Sequence, residues 1–266
     1  NSGKHVVCEK PAALSSQELQ MMIDTANKNN LIFTVHQNRR WDKDYKIIRK
    51  VIEDGLIGKP YTIESRVHGS RGAVFGWRAD KEAGGGMLLD WGVHLIDQIM
   101  YMVPEKVVNV FARLHKVKTP DVDDYFKMVM TFESGLNAQI EVGTYCLKPL
   151  PRWYVNGDLG SAYINGWDCT GEVLHAKVLD EWSHEVVQTA AGPTRTMAPR
   201  TKEQVEVIPL PEITTDWADY YNNLLAVLDG KENELLIKHH EVMRVMKVME
   251  ACFESSETGK VIEVNI

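Results

Sequence analysis

Three polar residues at helical spacing, Asp90, His94 and Asp97, interrupt an otherwise apolar stretch, AGGGMLLDWGVHLID at residues 83–97. Intervals of four and three residues place side chains on one stripe of an α-helix. An imidazole titrates near neutral pH, so His94 can exchange a proton with a substrate hydroxyl during oxidation of an alcohol to a carbonyl. Asp90 can hold this ring or a substrate hydroxyl, and Asp97 is expected to orient the other ring nitrogen.

Two shorter segments are expected to contribute to the same site. CEKP at residues 8–11 ends a short β-prone run, and HQNRRW at residues 36–41 follows the next predicted strand. Open α/β sheets bind ligands at the carboxyl ends of their parallel strands. Lys10 can therefore donate to a substrate hydroxyl or a cofactor ribose, and the second segment can line the same crevice through His36, Asn38, Arg40 and Trp41.

Structural alternatives stand beside each of these interpretations. Lysine is mostly exposed in proteins, so Lys10 could be an ordinary surface residue, and HQNRRW could be a solvated loop. A lone histidine on an apolar helix is more often a core residue with satisfied nitrogens than a catalytic group. Histidine and aspartate are also metal ligands. No second ligand cluster accompanies them, however, and the sequence predicts no metal site.

The elements predicted to hold these residues fall into two classes. The first segment, HVVCEKP, predicts a strand. It is followed by a predicted helix in SSQELQMMIDTANKNN, capped by Ser15 or Ser16, and by a second predicted strand in LIFTVHQ. Together these elements form a parallel βαβ unit. A second helix is predicted at about residues 42–54, ending at Gly55. After a glycine-led helix at about residues 86–102, alternating strands favour a mostly antiparallel sheet. Residues 190–204 are predicted to be a loop.

These elements suggest three segments. Residues 1–58 are expected to be the C-terminal part of a dinucleotide-binding (Rossmann) domain, and residues 59–235 an α+β substrate and oligomerisation domain. Residues 236–266 are a helix and a strand that could pack back on the first domain. The predicted fold class is α/β plus α+β, with helices on one face of an open-faced sheet.

Composition narrows the partners to small molecules. The 266 residues carry 37 acidic and 30 basic side chains, a net charge of -7, without a dense Lys/Arg run, so nucleic acid is not an expected partner. No apolar run approaches the roughly 20 residues that span a bilayer, and the first residues do not resemble a signal peptide. No membrane partner is therefore expected, and a cytoplasmic location is predicted. The four cysteines are scattered without a CxxC pair, which argues against a disulfide framework or a zinc knuckle.

Several of these segments together resemble one protein family along nearly the whole chain. They are GKHVVCEKPAALS, HQNRRW, GWRADKEAGGGMLLDWGVHLID, VDDYFKMVMTFESG and GDLGSAYING. The sequence resembles the glucose-fructose oxidoreductase, inositol dehydrogenase and rhizopine-catabolism (Gfo/Idh/MocA) family. The resemblance implies an oxidoreductase that uses NAD or NADP and transfers hydride to or from a hydroxyl-bearing carbon of a sugar, polyol or derivative.

The resemblance also implies roles for individual residues. Lys10 matches the family lysine that contacts substrate and the nicotinamide ribose, and Pro11 matches the residue beside the nicotinamide. The expected catalytic residues are Lys10, Asp90 and His94. The expected cofactor contacts are Glu9, Lys10, Pro11, Asn38, Arg40 and Trp41. The expected substrate contacts are Lys10, Trp77, Arg78, Asp90 and His94.

One family feature is missing from the sequence. Family members begin with a strand and a Gly-x-Gly-x-x-Gly turn that binds the pyrophosphate, followed by a residue that selects NAD or NADP. At roughly 30 residues per βαβ unit, on the order of a hundred residues are expected ahead of Asn1. The chain as given is therefore expected to bind dinucleotide poorly and to be inactive or impaired.

Two further hypotheses remain open at this stage. The chain could belong to a non-catalytic sugar-sensing or regulatory protein on the same scaffold, because folds host more than one function. Independently of its activity, an uncovered sheet face favours assembly, and a homodimer or homotetramer through the sheet domain is expected.

Overall fold

The N-terminal part of the chain is a parallel βαβ unit. The structure, a computed structural model, describes residues 2–177, 186–195, 199–232 and 234–266. Strand β1 (Val6–Cys8) pairs in parallel with β2 (Phe33–Val35), and helix α1 (Ser16–Lys28) connects them. The side chain of Ser15 accepts a hydrogen bond from the backbone N–H of Glu18, which begins the helix as an N-cap. Helix α2 (Lys43–Glu53) follows a 3-10 turn at Asn38–Trp41.

A nine-stranded sheet is the main element of the chain after α2. The strands after β2 are β3 (Pro60–His68), β4 (Val107–His115), β5 (Tyr125–Phe132), β6 (Asn137–Gly143), β7 (Trp153–Gly157), β8 (Gly160–Ile164), β9 (Gly171–Ala176), β10 (Val187–Thr189), β11 (Gly192–Thr194), β12 (Val205–Pro209) and β13 (Ile262–Glu263). Nine of them lie in the order β12-β9-β8-β7-β3-β6-β5-β4-β13, while β10 and β11 form a separate hairpin. Within this nine-stranded sheet, β3 and β6 are the parallel pair, and the other strand pairs of the described residues are antiparallel. The predicted fold class is confirmed.

Helices cover one face of this sheet. The remaining helices are α3 (Val93–Met102), α4 (Ala218–Leu228) and α5 (His239–Thr258). Strand β5 buries Phe126, Met128 and Met130 on one face, whereas the alternate residues Tyr125 and Lys127 lie on the other and remain more accessible. This period of two is the expected signature of a sheet with one covered face.

The C-terminal segment joins both parts of the molecule. Helix α5 packs against α1, α3 and β4. Its Glu250 accepts hydrogen bonds from the backbone N–H and the hydroxyl of Ser16 at 2.6 and 2.9 Å. Strand β13 pairs antiparallel with β4 at the edge of the large sheet. The segment therefore contacts the βαβ unit and also completes the sheet.

Two local predictions need correction. The predicted helix at residues 86–102 begins with a π-helical turn, Leu88–Gly92, before α3. The segment 190–204, predicted as a loop, contains β11 and a 3-10 turn at Lys202–Gln204, while residues 196–198 lie outside the described part. Gly192 has a φ of 109°, so this glycine permits the tight turn of the β10–β11 hairpin. Within the described ranges, no helix combines the length and apolar character needed to cross a membrane.

Candidate active site

The ends of the two parallel strands place the first site residues side by side. Cys8 of β1 is in register with Val35 of β2, and the backbone N–H of His36 donates to the carbonyl oxygen of Cys8 at 2.8 Å. Glu9 and Lys10 therefore leave the sheet at the same edge as His36, as expected for the carboxyl ends of parallel strands. The peptide bond between Lys10 and Pro11 is cis.

The three glycines before the π-helical turn are needed for close backbone packing. Gly84 and Gly86 have φ angles of 76° and 107°, which residues with a Cβ atom rarely adopt. A Cβ atom at Gly85 would lie 2.4 Å from the carbonyl oxygen of Arg78. The backbone N–H of Gly86 donates to that same oxygen at 3.0 Å. The glycine segment thus fixes the backbone that carries Arg78.

A buried carboxylate fixes the start of the π-helical turn. Asp123 accepts a hydrogen bond from the backbone N–H of Leu88 at 2.8 Å, and its own carbonyl oxygen accepts from the N–H of Met87 at 2.9 Å. Burial raises the pKa of Asp123 to about 6, against the opposing effect of these backbone hydrogen bonds. The loop before β5 therefore positions the turn that carries Asp90.

Lys10 and Arg78 bind opposite oxygens of Asp90. The Nζ atom of Lys10 lies 2.7 Å from Oδ1 of Asp90 and also donates to its carbonyl oxygen at 2.8 Å. Nε of Arg78 lies 2.8 Å from Oδ2. Burial raises the pKa of Asp90, but the hydrogen bonds and charges of Lys10 and Arg78 outweigh burial and hold that pKa below its ordinary value. Asp90 is therefore an ionised carboxylate that fixes the lysine ammonium group.

His94 is a buried imidazole without a fixed partner. The residue is 5% exposed, and its Nδ1 atom has no hydrogen-bond partner among the described residues. Burial lowers the pKa of His94 well below its ordinary value, and the charges of Lys10, Arg39 and His36 lower it further. The ring packs against Trp91 with 6.2 Å between centroids. Since Nδ1 is buried, a neutral imidazole here can accept a proton from a ligand through Nε2, the nitrogen that is not buried.

These groups line one cavity of about 260 Å³. The lining residues come from both strand ends, the 3-10 turn after β2, a second 3-10 turn at Gly76–Ala79, the π-helical turn and the start of α3; they are Glu9, Lys10, His36, Asn38, Arg39, Arg78, Asp90, Trp91 and His94. The ring of His36 is held at both nitrogens: Nδ1 lies 3.0 Å from Oε1 of Glu9, and Nε2 lies 3.3 Å from the hydroxyl oxygen of Tyr221. The structure thus brings together the strand ends and the glycine-led helix, which are far apart in sequence.

Asp97 and Arg40 are placed differently from the sequence expectation. Asp97 does not orient His94; its two oxygens accept from Nε and Nη2 of Arg40 at 2.7 and 2.6 Å. Arg40 also donates to Glu241 at 2.7 Å, and its side chain is only 3% exposed. A buried guanidinium needs anionic partners, and this pairing turns Arg40 away from the cavity that it was expected to line. The structure gives no support for Arg40 as a cofactor contact.

Two expected tryptophans and Pro11 also lie outside the cavity lining. Trp41 is buried against Tyr220, with the ring planes at 85°. Trp77 is half exposed and lies 4.5 Å from the guanidinium of Arg78, so it contacts the site through that arginine. Pro11 follows Lys10 directly but is not part of the lining.

Two residues that line the cavity, Arg39 and Trp91, were not expected there from the sequence. Arg39 places its guanidinium 4.2 Å from the ring centroid of Trp91, and its carbonyl oxygen accepts from Nε2 of Gln98 at 2.6 Å. Adjacent residues of a helical turn point in different directions, so Arg39 and Arg40 cannot both face the cavity. The motif NRRW signalled that an arginine was available there, but it could not show which of the two.

Comparisons with known proteins agree with this architecture. A family model described as "GFO/IDH/MocA C-terminal domain" matches residues 45–163, and one described as "Oxidoreductase family, NAD-binding Rossmann fold" matches residues 1–37. The crystal structure of an NAD-binding protein from Listeria innocua is 42% identical, with a TM-score of 0.94 over 98% of this chain and 75% of that one.

Curated relatives are more distant but also extend along the chain. The scyllo-inositol 2-dehydrogenase (NADP(+)) IolW of Bacillus subtilis is 27% identical, covering 98% of this chain and 72% of the relative. The uncharacterized oxidoreductase C115.03 of Schizosaccharomyces pombe is also 27% identical, covering 99% of this chain and 76% of the relative. The motifs, the fold and these matches agree: the chain belongs to the Gfo/Idh/MocA family of oxidoreductases.

Proposed function

We propose that this chain carries the catalytic residues of an NAD- or NADP-dependent dehydrogenase that acts on a hydroxyl-bearing carbon of a sugar or polyol. The observation that supports this most is the pairing of a fixed lysine with an unpaired, buried imidazole in one cavity. Lys10 is bound to Asp90 at 2.7 Å, whereas Nδ1 of His94 has no partner among the described residues. The named dehydrogenase IolW among the relatives agrees with this reaction class.

The residues present fit a nicotinamide cofactor. The cavity opens at the carboxyl ends of β1 and β2, where dinucleotides bind in open α/β sheets. Glu9, Lys10 and Asn38 would hold the cofactor at this edge, and Pro11 would lie beside them. When bound, the nicotinamide supplies the acceptor or donor of a hydride. Nδ1 of His94 is buried, so the other ring nitrogen, Nε2, is the one open to a ligand in the cavity.

The chain's own groups then handle the hydroxyl. Lys10 donates a hydrogen bond to the substrate oxygen and stabilises negative charge on it, while Asp90 keeps the ammonium group in place. Arg78 holds the second oxygen of Asp90, so the carboxylate cannot rotate freely. His94 accepts the hydroxyl proton in oxidation and returns it in reduction. Asn38 and Arg39 complete the polar lining around the substrate.

The first test is turnover by the full-length protein. Inositols, aldoses and polyols are supplied with NAD⁺ or NADP⁺, and reduced nicotinamide is followed by its absorbance. Oxidation of at least one polyhydroxylated substrate is expected. Saturable sugar binding without turnover on either cofactor would instead support the sugar-sensing alternative.

The rate of oxidation is expected to fall on the acidic side only at a pH well below the ordinary pKa of histidine. The neutral imidazole accepts the proton, and the pKa of His94 is depressed well below 6.5 by burial and by the neighbouring positive charges. The neutral form is therefore present above this depressed pKa and lost only as the pH falls through it. We expect kcat/KM to stay near its maximum as the pH falls to 6.5 and to decline below it, measured from about pH 8 to pH 5. A half-maximal rate at or above pH 6.5 would contradict this assignment.

The open face of the large sheet is proposed to bind a second copy of the chain. Tyr125 and Glu141 share this face and are joined by a hydrogen bond of 2.8 Å, while His68 and Arg66 lie against the same carboxylate. Such mutually paired charges are compatible with burial in an interface.

Light scattering of the full-length protein is expected to give at least a dimer, and Val129→Glu on this face is expected to shift the population toward monomer. A wild-type monomer at all concentrations would contradict the proposal.

A further inference from the structure

A second cavity of about 500 Å³ adjoins the catalytic cavity. Arg39 lines both of them. The other walls come from the start of α2, the β8–β9 connection and the segment before α4; they are Asp42, Lys43, Asp44, Trp167, Cys169, Thr215, Asp216 and Trp217. None of these eight residues has a role in the proposed reaction, so the reaction at His94 gives this second cavity no function.

Aromatic rings in edge-to-face and tilted contact lie between the two cavities. Trp91 lines the catalytic cavity, and its centroid lies 6.2 Å from that of His94. Trp167 lines the second cavity, 5.8 Å from Trp91. The guanidinium of Arg39 lies against both indoles, at 4.2 and 5.8 Å from their centroids. Arg39 and the two indoles that it contacts therefore form the shared border of the two cavities, so a ligand two rings long with one ring beside His94 would place its other ring in the second cavity.

The lining of the second cavity matches the surface of a carbohydrate. Trp167 and Trp217 are 55% and 73% exposed, unusually high for indoles. An accessible indole presents an apolar face that can pack on the C–H face of a sugar ring. The hydroxyl groups of the same ring can donate to the more accessible carboxylates of the lining, Asp42 and Asp216.

All three lining carboxylates are already oriented by the protein, Asp216 by the backbone N–H of Ala218 at 2.8 Å. Asp42 accepts from Nη1 of Arg39 at 2.9 Å, and Asp44 accepts from Nε1 of Trp153 at 2.8 Å. A carboxylate has about four acceptor positions, so Asp42 and Asp216 keep capacity for ligand hydroxyls, whereas Asp44 is only 3% exposed and is held by Trp153 and Arg152. The three carboxylates are balanced by Arg39 and Lys43 and by Arg152, which pairs with Asp44 at 3.0 Å. The cavity therefore offers no excess of positive charge to a phosphate or another anion, and a neutral polyhydroxylated ring fits it better.

We propose that this second cavity binds the non-reacting ring of a two-ring glycoside, while the ring to be oxidised occupies the catalytic cavity. The inference rests on the proposed function for the identity of the reacting ring. It adds a substrate class, disaccharide-type glycosides, and assigns Trp217 and Trp167 as contacts of the second ring.

The kinetic test compares a disaccharide with its monosaccharide in the full-length protein. Cellobiose and maltose are compared with glucose, and the ratio of kcat/KM for disaccharide over monosaccharide is measured. Trp217→Ala is expected to lower this ratio about tenfold, which corresponds to about 1.4 kcal/mol. Trp217→Phe, which keeps an aromatic face, is expected to retain most of the ratio. Tyr61→Ala removes another exposed aromatic residue, outside both cavities, and is the matched control with an unchanged ratio.

A thiol-labelling test reports on the second cavity without any turnover. Cys169 lines this cavity, whereas Cys146 is similarly half-buried but lies outside it and serves as the internal control. N-ethylmaleimide labelling at each cysteine is measured by peptide mass spectrometry. A disaccharide is expected to slow labelling of Cys169 more than glucose does, and to leave Cys146 unchanged.

The two tests separate failure of the inference from failure of the proposed function. Protection of Cys169 without oxidation of any sugar would support the second-ring site and overturn the dehydrogenase proposal. Oxidation of glucose with equal labelling of Cys169 in all sugars, or an unchanged ratio in Trp217→Ala, would overturn the second-ring site and leave the proposed reaction standing. Equal labelling with no turnover would overturn both.

Discussion

Replacing His94 with alanine in the full-length protein is expected to lower turnover by about 10²-fold or more, the usual contribution of a positioned acid–base group. The ring makes no side-chain hydrogen bond among the described residues, whereas Lys10 is paired with Asp90 and is assigned to hold the substrate oxygen as a donor. The measurement is kcat with saturating cofactor and substrate. Binding of reduced nicotinamide, followed by fluorescence, is expected to change little.

The His94→Ala experiment needs a control for folding and for loss of a histidine as such. The substitution enlarges an existing cavity rather than creating a closed one, so the thermal unfolding midpoint should change little. His240→Ala is the matched variant, because His240 is exposed at the start of α5 and outside the catalytic cavity. An unchanged rate in folded His94→Ala protein would refute the proton-transfer role.

Replacing Arg40 with methionine is expected to cost about 3–5 kcal/mol of unfolding free energy. The substitution leaves the carboxylate of Asp97, only 3% exposed, without the guanidinium that binds both its oxygens at 2.7 and 2.6 Å. Glu241 loses a partner at the same time. The measurement is urea unfolding of the full-length protein, and the unfolding midpoint should fall without a change in the slope.

Two further variants show whether the buried pair is the cause. The double variant Arg40→Met/Asp97→Leu also removes the buried carboxylate that Arg40→Met leaves without a partner. Much of the lost unfolding free energy is expected to return, since apolar replacements of buried ion pairs are often tolerated. Arg49→Met breaks the exposed pair with Glu53 and is expected to cost about 1 kcal/mol or less. A stable Arg40→Met protein with weakened nicotinamide binding would restore Arg40 as a cofactor contact.

The sequence alone determined the elements and the family. Helix caps, strand alternation and glycine turns are local signals, so the βαβ unit, the hairpin from β5 to β6 and the long C-terminal helix follow from short stretches of residues. The motifs EKP and GGGMLLDWGVHLID identified Lys10, Asp90 and His94, and the structure places all three in one cavity. Their catalytic roles remain a prediction.

Only the tertiary structure decided how neighbouring polar residues are divided between the site and the core. His94 and Asp97 are three residues apart, yet one lines the catalytic cavity and the other pairs with Arg40, because a buried guanidinium from a distant turn requires that carboxylate. Arg39 and Arg40 separate in the same way. The second cavity likewise depends on Trp167 and Trp217, which join α2 from remote parts of the chain. Spacing in the sequence reports which side chains share a face, whereas partner and solvent access depend on long-range packing.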